Sequence, residues 1–214
     1  MKLALLSDIH ANLRALHACL AHAREAGATH YAVLGDLVGY GAEPAQVVDA
    51  VMQLAAAGAV VLGGNHDAMA VQPPAQQESL GDTSAQWTHD QLGQAHRDFL
   101  AGLPLHAHLA SAWLVHASAD APDDWHYVDN PQRAQRSLDA ACAHDGVSHV
   151  FCGHVHHQRL YYRGGGRALM EFMPTPGVAI PVPVHRQWLA TVGSVGQPRD
   201  GDTRAMYALF DATQ

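Results

Sequence analysis

Residues 3–36 read LALLSDIHANLRALHACLAHAREAGATHYAVLGD: an apolar run, an amphipathic stretch, and a second apolar run. Leu3–Leu6 and Tyr31–Leu34 have the length of buried strands rather than of helices. Between them Leu13, Leu16 and Leu20 fall at i, i+3 and i+7, which is one face of a helix. The order strand, helix, strand predicts a parallel βαβ unit. A second unit follows, with Pro44 in the first turn of a helix that runs to about Ala57, and a third apolar run at Ala59–Leu62.

Further along, NPQRAQRSLDAACAHDG supplies Asn130 as a cap, Pro131 as the first helical residue and Gly146 as a stop. Asp82–Leu100 reads as one more helix, with Trp87, Leu92, Phe99 and Leu100 as buried positions. The last part changes character. Arg159–Tyr162, Ala168–Phe172, Gln187–Thr191 and Met206–Phe210 read as successive strands, and Gly164–Gly166 as a hairpin turn. Parallel units in the first half and antiparallel strands in the second predict a mixed α/β fold. No repeat or long linker divides the chain, so residues 1–214 are expected to form a single domain.

Composition narrows the function. No apolar run approaches the roughly 20 residues needed to cross a bilayer, and the opening MKLALLSDIH is too short for a secretory leader. A cytoplasmic protein without a membrane partner is expected. The formal net charge is −8 and no basic block is present, which disfavours a stable nucleic-acid partner. Cys19, Cys142 and Cys152 lie in apolar patterns and read as small buried hydrophobes. Histidine is the anomaly, with 17 residues. It is the commonest metal ligand and the acid or base of neutral pH.

Five times an apolar run ends in a polar residue able to hold a metal: LALLSDIH, YAVLGD, VVLGGNH, AWLVH and HVFCGHVH. Sites in open α/β sheets form beyond the carboxyl ends of the strands, so these tips are expected to converge. Asp8 and His10, and likewise His154 and His156, are two apart, which in an extended segment points both side chains the same way. Glycines before Asp36, Asn65 and His154 permit a close backbone approach. Aspartate, asparagine and histidine without thiolate suit Mn, Fe or Zn in an open site, with Co or Ni also compatible. Asp8, His10, Asp36, Asn65, His116, His154 and His156 are too many for one tetrahedral ion. Two divalent metal ions about 3.5–4 Å apart, sharing a carboxylate, use them naturally.

In that order DIH, GD, GNHD, a strand-end histidine and GHVH resemble the calcineurin-like metallophosphoesterase superfamily. GSVGQPRDGD followed by MYALFD is similar to its small single-domain bacterial and archaeal members. The resemblance implies a four-layer α/β sandwich of two mixed sheets flanked by helices. It implies one metal held by Asp8, His10, Asp36 and His156, and a second held by Asp36, Asn65, His116 and His154. It also points to His66 as general acid for a leaving alkoxide, with a hydroxide bridging the metals as nucleophile.

The sequence departs from the protein-phosphatase branch, which carries an aspartate and an arginine after GD. Here GDLVGYG places Gly39 and Gly41 there. TVGS stands where NPGS is usual, and Ala11 where DIHGN is usual. The expected activity is therefore a phosphodiesterase or nucleotide pyrophosphohydrolase acting on a small, nucleotide-like phosphorylated substrate. A serine/threonine protein phosphatase, a general phosphomonoesterase and a non-catalytic scaffold are the alternatives. Arg199, Tyr127 and Asp67 are candidate substrate contacts, with Asp67 also readable as a helix cap or a partner of His66. His17, His22, His30, His89, His96, His106 and His108 are assigned to helices or turns without a role.

Overall fold

The computed structural model describes residues 1–164, 168–183 and 185–212. Two mixed sheets are flanked by helices. The first has the order β10-β1-β2-β3, with β1 Lys2–Leu6, β2 His30–Leu34, β3 Val60–Leu62 and β10 Ala208–Asp211. The second has the order β4-β5-β6-β9-β7-β8, with β4 His106–Leu109, β5 Ala112–Val115, β6 His149–Cys152, β7 Gln158–Arg163, β8 Met170–Phe172 and β9 Gln187–Val192.

Alternation along the strands builds the layers. On β1, Leu3 and Leu5 join Leu114, Phe151 and Val192 of the other sheet, forming the core between the sheets. Ala4 and Leu6 turn the other way, onto Leu16 and Ala23 of α1 (Leu13–Glu25) and Val47 and Val51 of α2 (Pro44–Ala56). On β5, Leu114 faces the first sheet, while Trp113 and Val115 pack with Ala134, Leu138 and Ala141 of α6 (Pro131–Cys142).

The expected parallel half is present: β1–β2 and β2–β3 are parallel, with α1 and α2 as crossovers. Three short helices connect the sheets: α3 (Asn65–Val71), α4 (Leu80–Gln91) and α5 (Gln94–Ala101). Pro44 opens α2, and the Asn130 side chain accepts from Arg133 N at the start of α6.

Several expectations are corrected. The helix read over Asp82–Leu100 is two helices, because Leu92 takes extended backbone (ψ 133°) and Gly93 begins a new turn. Leu92 and Leu100 both reach the core, whereas Trp87 is left 44% exposed. α6 stops at Cys142, short of Gly146. The second half is not purely antiparallel: β5, β6 and β9 run parallel, and β10 leaves to pair antiparallel with β1. β8 begins at Met170 rather than Ala168, and β10 at Ala208 rather than Met206. His30, His106 and His108 stand on strands, not on helices or turns. Of the hairpin turn, Gly165 and Gly166 lie outside the described residues. Cys19 and Cys152 are buried as expected, whereas Cys142 is half-buried; no disulfide joins them.

Candidate metal centre

β1, β2 and β3 of one sheet and β5 and β6 of the other end at the same edge of the sandwich. Their carboxyl-terminal loops carry every residue singled out at a strand tip. The side chains converge by a route different from the one that spacing suggested. Asp8 (φ 53°), His10 (φ 46°), Asp36 (φ 51°), His154 (φ 67°) and His156 (φ 57°) all adopt left-handed backbone, so none lies in an extended segment. Such conformations are uncommon outside glycine and persist only when the surroundings enforce them.

The enforcement is visible. Asp8 N, Ile9 N and His10 N donate to the carbonyls of Gly35 and Asp36 at 2.8–3.1 Å, and Gly196 N donates to Asp8 O at 2.9 Å. Ser194 Oγ also donates to Asp8 O, at 2.8 Å. His154 N donates to Asp8 Oδ2 and His66 N to Asp36 Oδ1, each at 2.9 Å. The glycines are needed where the chains meet. A Cβ on Gly64 would stand 2.2 Å from Asp36 Oδ1, and one on Gly153 1.8 Å from Ser7 Oγ.

Two groups of donor atoms result: Asp8, His10, Asp36 and His156, and Asp36, His116 and His154. Within each, the atoms lie within 4.8 Å of one another, and Asp36 belongs to both. Asn65 Oδ1 stands 3.2 Å from His116 Nε2 and so adds an oxygen to the second group.

The hydrogen bonds settle which nitrogens are free. His10 Nδ1 lies 3.0 Å from Val38 O, His116 Nδ1 lies 2.7 Å from Leu34 O, and His156 Nδ1 contacts Gln197 O. A carbonyl only accepts, so each Nδ1 carries the proton and, in a neutral ring, each Nε2 presents a lone pair. His10 Nε2 and His156 Nε2 nevertheless sit 3.1 Å apart, and His156 Nε2 is 3.2 Å from Asp8 Oδ1. Asp8 Oδ1 and His154 Nε2 are buried without hydrogen-bond partners. Converging lone pairs and buried anions are unfavourable until a cation is placed among them. The residues present therefore fit a pair of divalent ions, with the carbonyls of Leu34, Val38 and Gln197 that orient the imidazoles already in place.

Electrostatics follow from burial and proximity. Burial pushes His10 and His154 down to about 4. Burial acts the same way on His116, but the Asp36 carboxylate 3.3 Å away raises it to about 9. Burial would raise Asp36 and Asp8, yet the surrounding imidazoles hold both below the usual carboxylate range.

His66 lies at the margin of the centre. Its ring is 5.1 Å from that of His10 and 4.5 Å from that of Tyr40, and its Nδ1 is buried without a partner. Burial holds it below the ordinary histidine range. Arg199 reaches the same side, with its guanidinium carbon 6.0 Å from the Tyr40 ring centroid. Tyr127 stacks on His154 with centroids 4.0 Å apart. Asp67 caps α3, one of the readings the sequence offered, and is neither a substrate contact nor a partner of His66. It is buried, its Oδ1 accepts from Leu37 N and Val38 N, and its Oδ2 from Gly64 N. Burial, with Asp36 nearby, pushes it up to about 7. It ties the loop after β2 to the loop after β3.

Sequence reasoning missed Tyr40 and Ser194. A tyrosine between two glycines, in the stretch where a relative would carry a charged residue, was the available sign for the first. For Ser194 there was none, because its partner is a backbone carbonyl.

The chain matches the family model described as calcineurin-like phosphoesterase superfamily domain over residues 1–214. It is 31% identical to the uncharacterized protein MJ0912 of Methanocaldococcus jannaschii, over 98% of this chain and 82% of that protein. Among solved structures it resembles a metallophosphoesterase from Sphaerobacter thermophilus, with 32% identity and a TM-score of 0.82, covering 100% of this chain and 84% of that one. The hypothetical protein PH1004 from Pyrococcus horikoshii OT3 shares the fold at 20% identity and a TM-score of 0.75, covering 99% and 84%.

Proposed function

Because the chain belongs to the calcineurin-like phosphoesterase superfamily and is a metal-dependent phosphoric ester hydrolase, we propose that it cleaves phosphodiesters or nucleotide pyrophosphates. The carrying observation is the pair of donor groups that share Asp36. Asp8, His10, Asp36 and His156 would hold one divalent ion, and Asp36, Asn65, His116 and His154 the other, with Mn, Fe or Zn best suited. Such a pair supplies Lewis acidity at phosphorus and ionises water near neutral pH.

The protein's own groups do the rest. Nδ1–H bonds to carbonyls keep the His10, His116 and His156 rings oriented, with Nε2 turned inward. His66 carries the proton for the departing oxygen; because burial lowers its proton affinity, the negative charge of bound phosphate must draw that proton on. Arg199 supplies a cation on the same flank. Gly39 and Gly41 stand where the protein-phosphatase branch carries an aspartate and an arginine, so that arginine's positive charge is missing from the loop after β2. That favours a diester with one negative charge over a monoester with two. No described helix is long and apolar enough to cross a membrane.

The test is turnover of bis-p-nitrophenyl phosphate by the Mn-loaded protein and its absence in a His66→Asn variant that still binds Mn. Faster cleavage of p-nitrophenyl phosphate would make the protein a monoesterase. No cleavage of either ester with Mn, Fe, Zn, Co or Ni would overturn the phosphodiesterase reading.

A further inference from the structure

A cleft of about 510 Å³ opens beside the second donor group, lined by Asn65, Met69, Gln72, Trp125, Tyr127 and His154. One wall is aromatic and belongs to the loop between β5 and α6; the other is formed by Met69 of α3 and by Gln72, which caps the end of that helix. Tyr127 has one face covered by the His154 ring, at an interplanar angle of 20°, and is still 49% exposed. The surface it offers to solvent is therefore largely its other face. Trp125 is held at φ 54°, a left-handed conformation that a bulky residue adopts only under constraint, and its ring meets His116 edge-on at 5.8 Å. The cleft thus starts at the candidate ligands His154 and Asn65 and extends away from them between mainly apolar walls. His66, Tyr40 and Arg199 group together at the His10 side of the centre.

From this arrangement we propose that the cleft is a subsite for a planar aromatic substituent, such as a nucleobase, on a phosphodiester whose other arm departs on the His66 side. The inference rests on the phosphodiesterase reading above. The open Tyr127 face would stack the ring, Met69 would close over it, and the Gln72 amide could hydrogen-bond its polar edge. Stacking on an aromatic side chain strengthens binding roughly five- to 150-fold per base.

Two diesters with the same leaving group separate this subsite from the chemistry: the p-nitrophenyl ester of thymidine 5′-monophosphate and ethyl p-nitrophenyl phosphate. With Mn-loaded protein, the ratio of kcat/KM for the nucleotidyl ester to that for the ethyl ester is expected to exceed ten. It should fall at least tenfold in Tyr127→Ala, be retained in Tyr127→Phe, and also fall in Met69→Trp, which fills the cleft from the opposite wall. Calorimetric titration with adenosine monophosphate and ribose 5-phosphate gives a readout free of turnover, and the base is expected to tighten binding at least tenfold. A wild-type ratio near one, or a ratio unmoved by both Tyr127→Ala and Met69→Trp, would overturn the subsite while leaving the phosphodiesterase reading intact. Failure to cleave either ester would overturn both.

Discussion

Gly64 is where the shared carboxylate is most exposed to a single added methyl group. Its backbone, φ −115° and ψ 175°, is open to any residue, so Gly64→Ala carries no conformational penalty of its own. The new Cβ, however, would lie 2.2 Å from Asp36 Oδ1 and 2.4 Å from Asp36 N. Ordinary carbon contacts are about 3.5–4.0 Å, so Asp36 or the β3–α3 loop must move by about an ångström. Overpacking of this kind costs about 1–3 kcal/mol, a melting-point loss of about 2–12 °C for a chain of this size. A displacement of that order at a reacting centre costs about 10²-fold in rate. The variant is expected to melt a few degrees lower without metal, to bind Mn more weakly, and to lose about two decades of kcat/KM on bis-p-nitrophenyl phosphate. Gly164→Ala, whose Cβ would meet nothing within 4 Å, is the control. Wild-type Mn affinity and turnover in Gly64→Ala would refute the placement of Asp36 at the heart of the site.

Other outcomes follow from the same geometry. Below about pH 9 the metal-free site holds a proton on His116 that a cation must displace, so Mn affinity should rise by up to about tenfold per pH unit between pH 6 and 8; calorimetry showing a pH-independent affinity would contradict this. Asp67→Ala strands three buried N–H groups, those of Leu37, Val38 and Gly64. It should destabilise the metal-free protein by about 2 kcal/mol, part of the lost bonding being offset by relief from burying a carboxylate. A lower urea midpoint at unchanged slope would register it. Leu114→Ala, emptying a fully buried position between the sheets, should cost about 2–5 kcal/mol by the same measurement.

What the residues disclosed in advance, and what they withheld, divides along a physical line. β1 and β2 could be read because strands buried on both faces appear as continuous apolar runs, and α1 and α2 because each buries one face that its periodicity records. The strand tips could be read because parallel strands bring their carboxyl ends together whatever the details. The convergence of Asp8 with His10 was anticipated for the wrong reason: the left-handed turns that achieve it are imposed by backbone bonds to Gly35 and Asp36, distant partners that a local pattern does not contain. The helix break at Leu92 had a local sign, Gly93, a poor helix former that caps the next helix. The limit of local pattern applies again to Asp67: its cap of α3 was legible, but its bonds to Leu37 N and Val38 N depend on that loop meeting α3. The strand at His106–Leu109 escaped because its alternation, half exposed and half shielded, involves histidines rather than a clear apolar face.

Anomalous diffraction from crystals soaked in Mn tests the shared-carboxylate centre most directly. Two peaks about 3.5–4 Å apart are expected, with Asp36 between them, Asp8, His10 and His156 around one, and Asn65, His116 and His154 around the other. A single peak, or two peaks with Asp36 bound to neither, would contradict it.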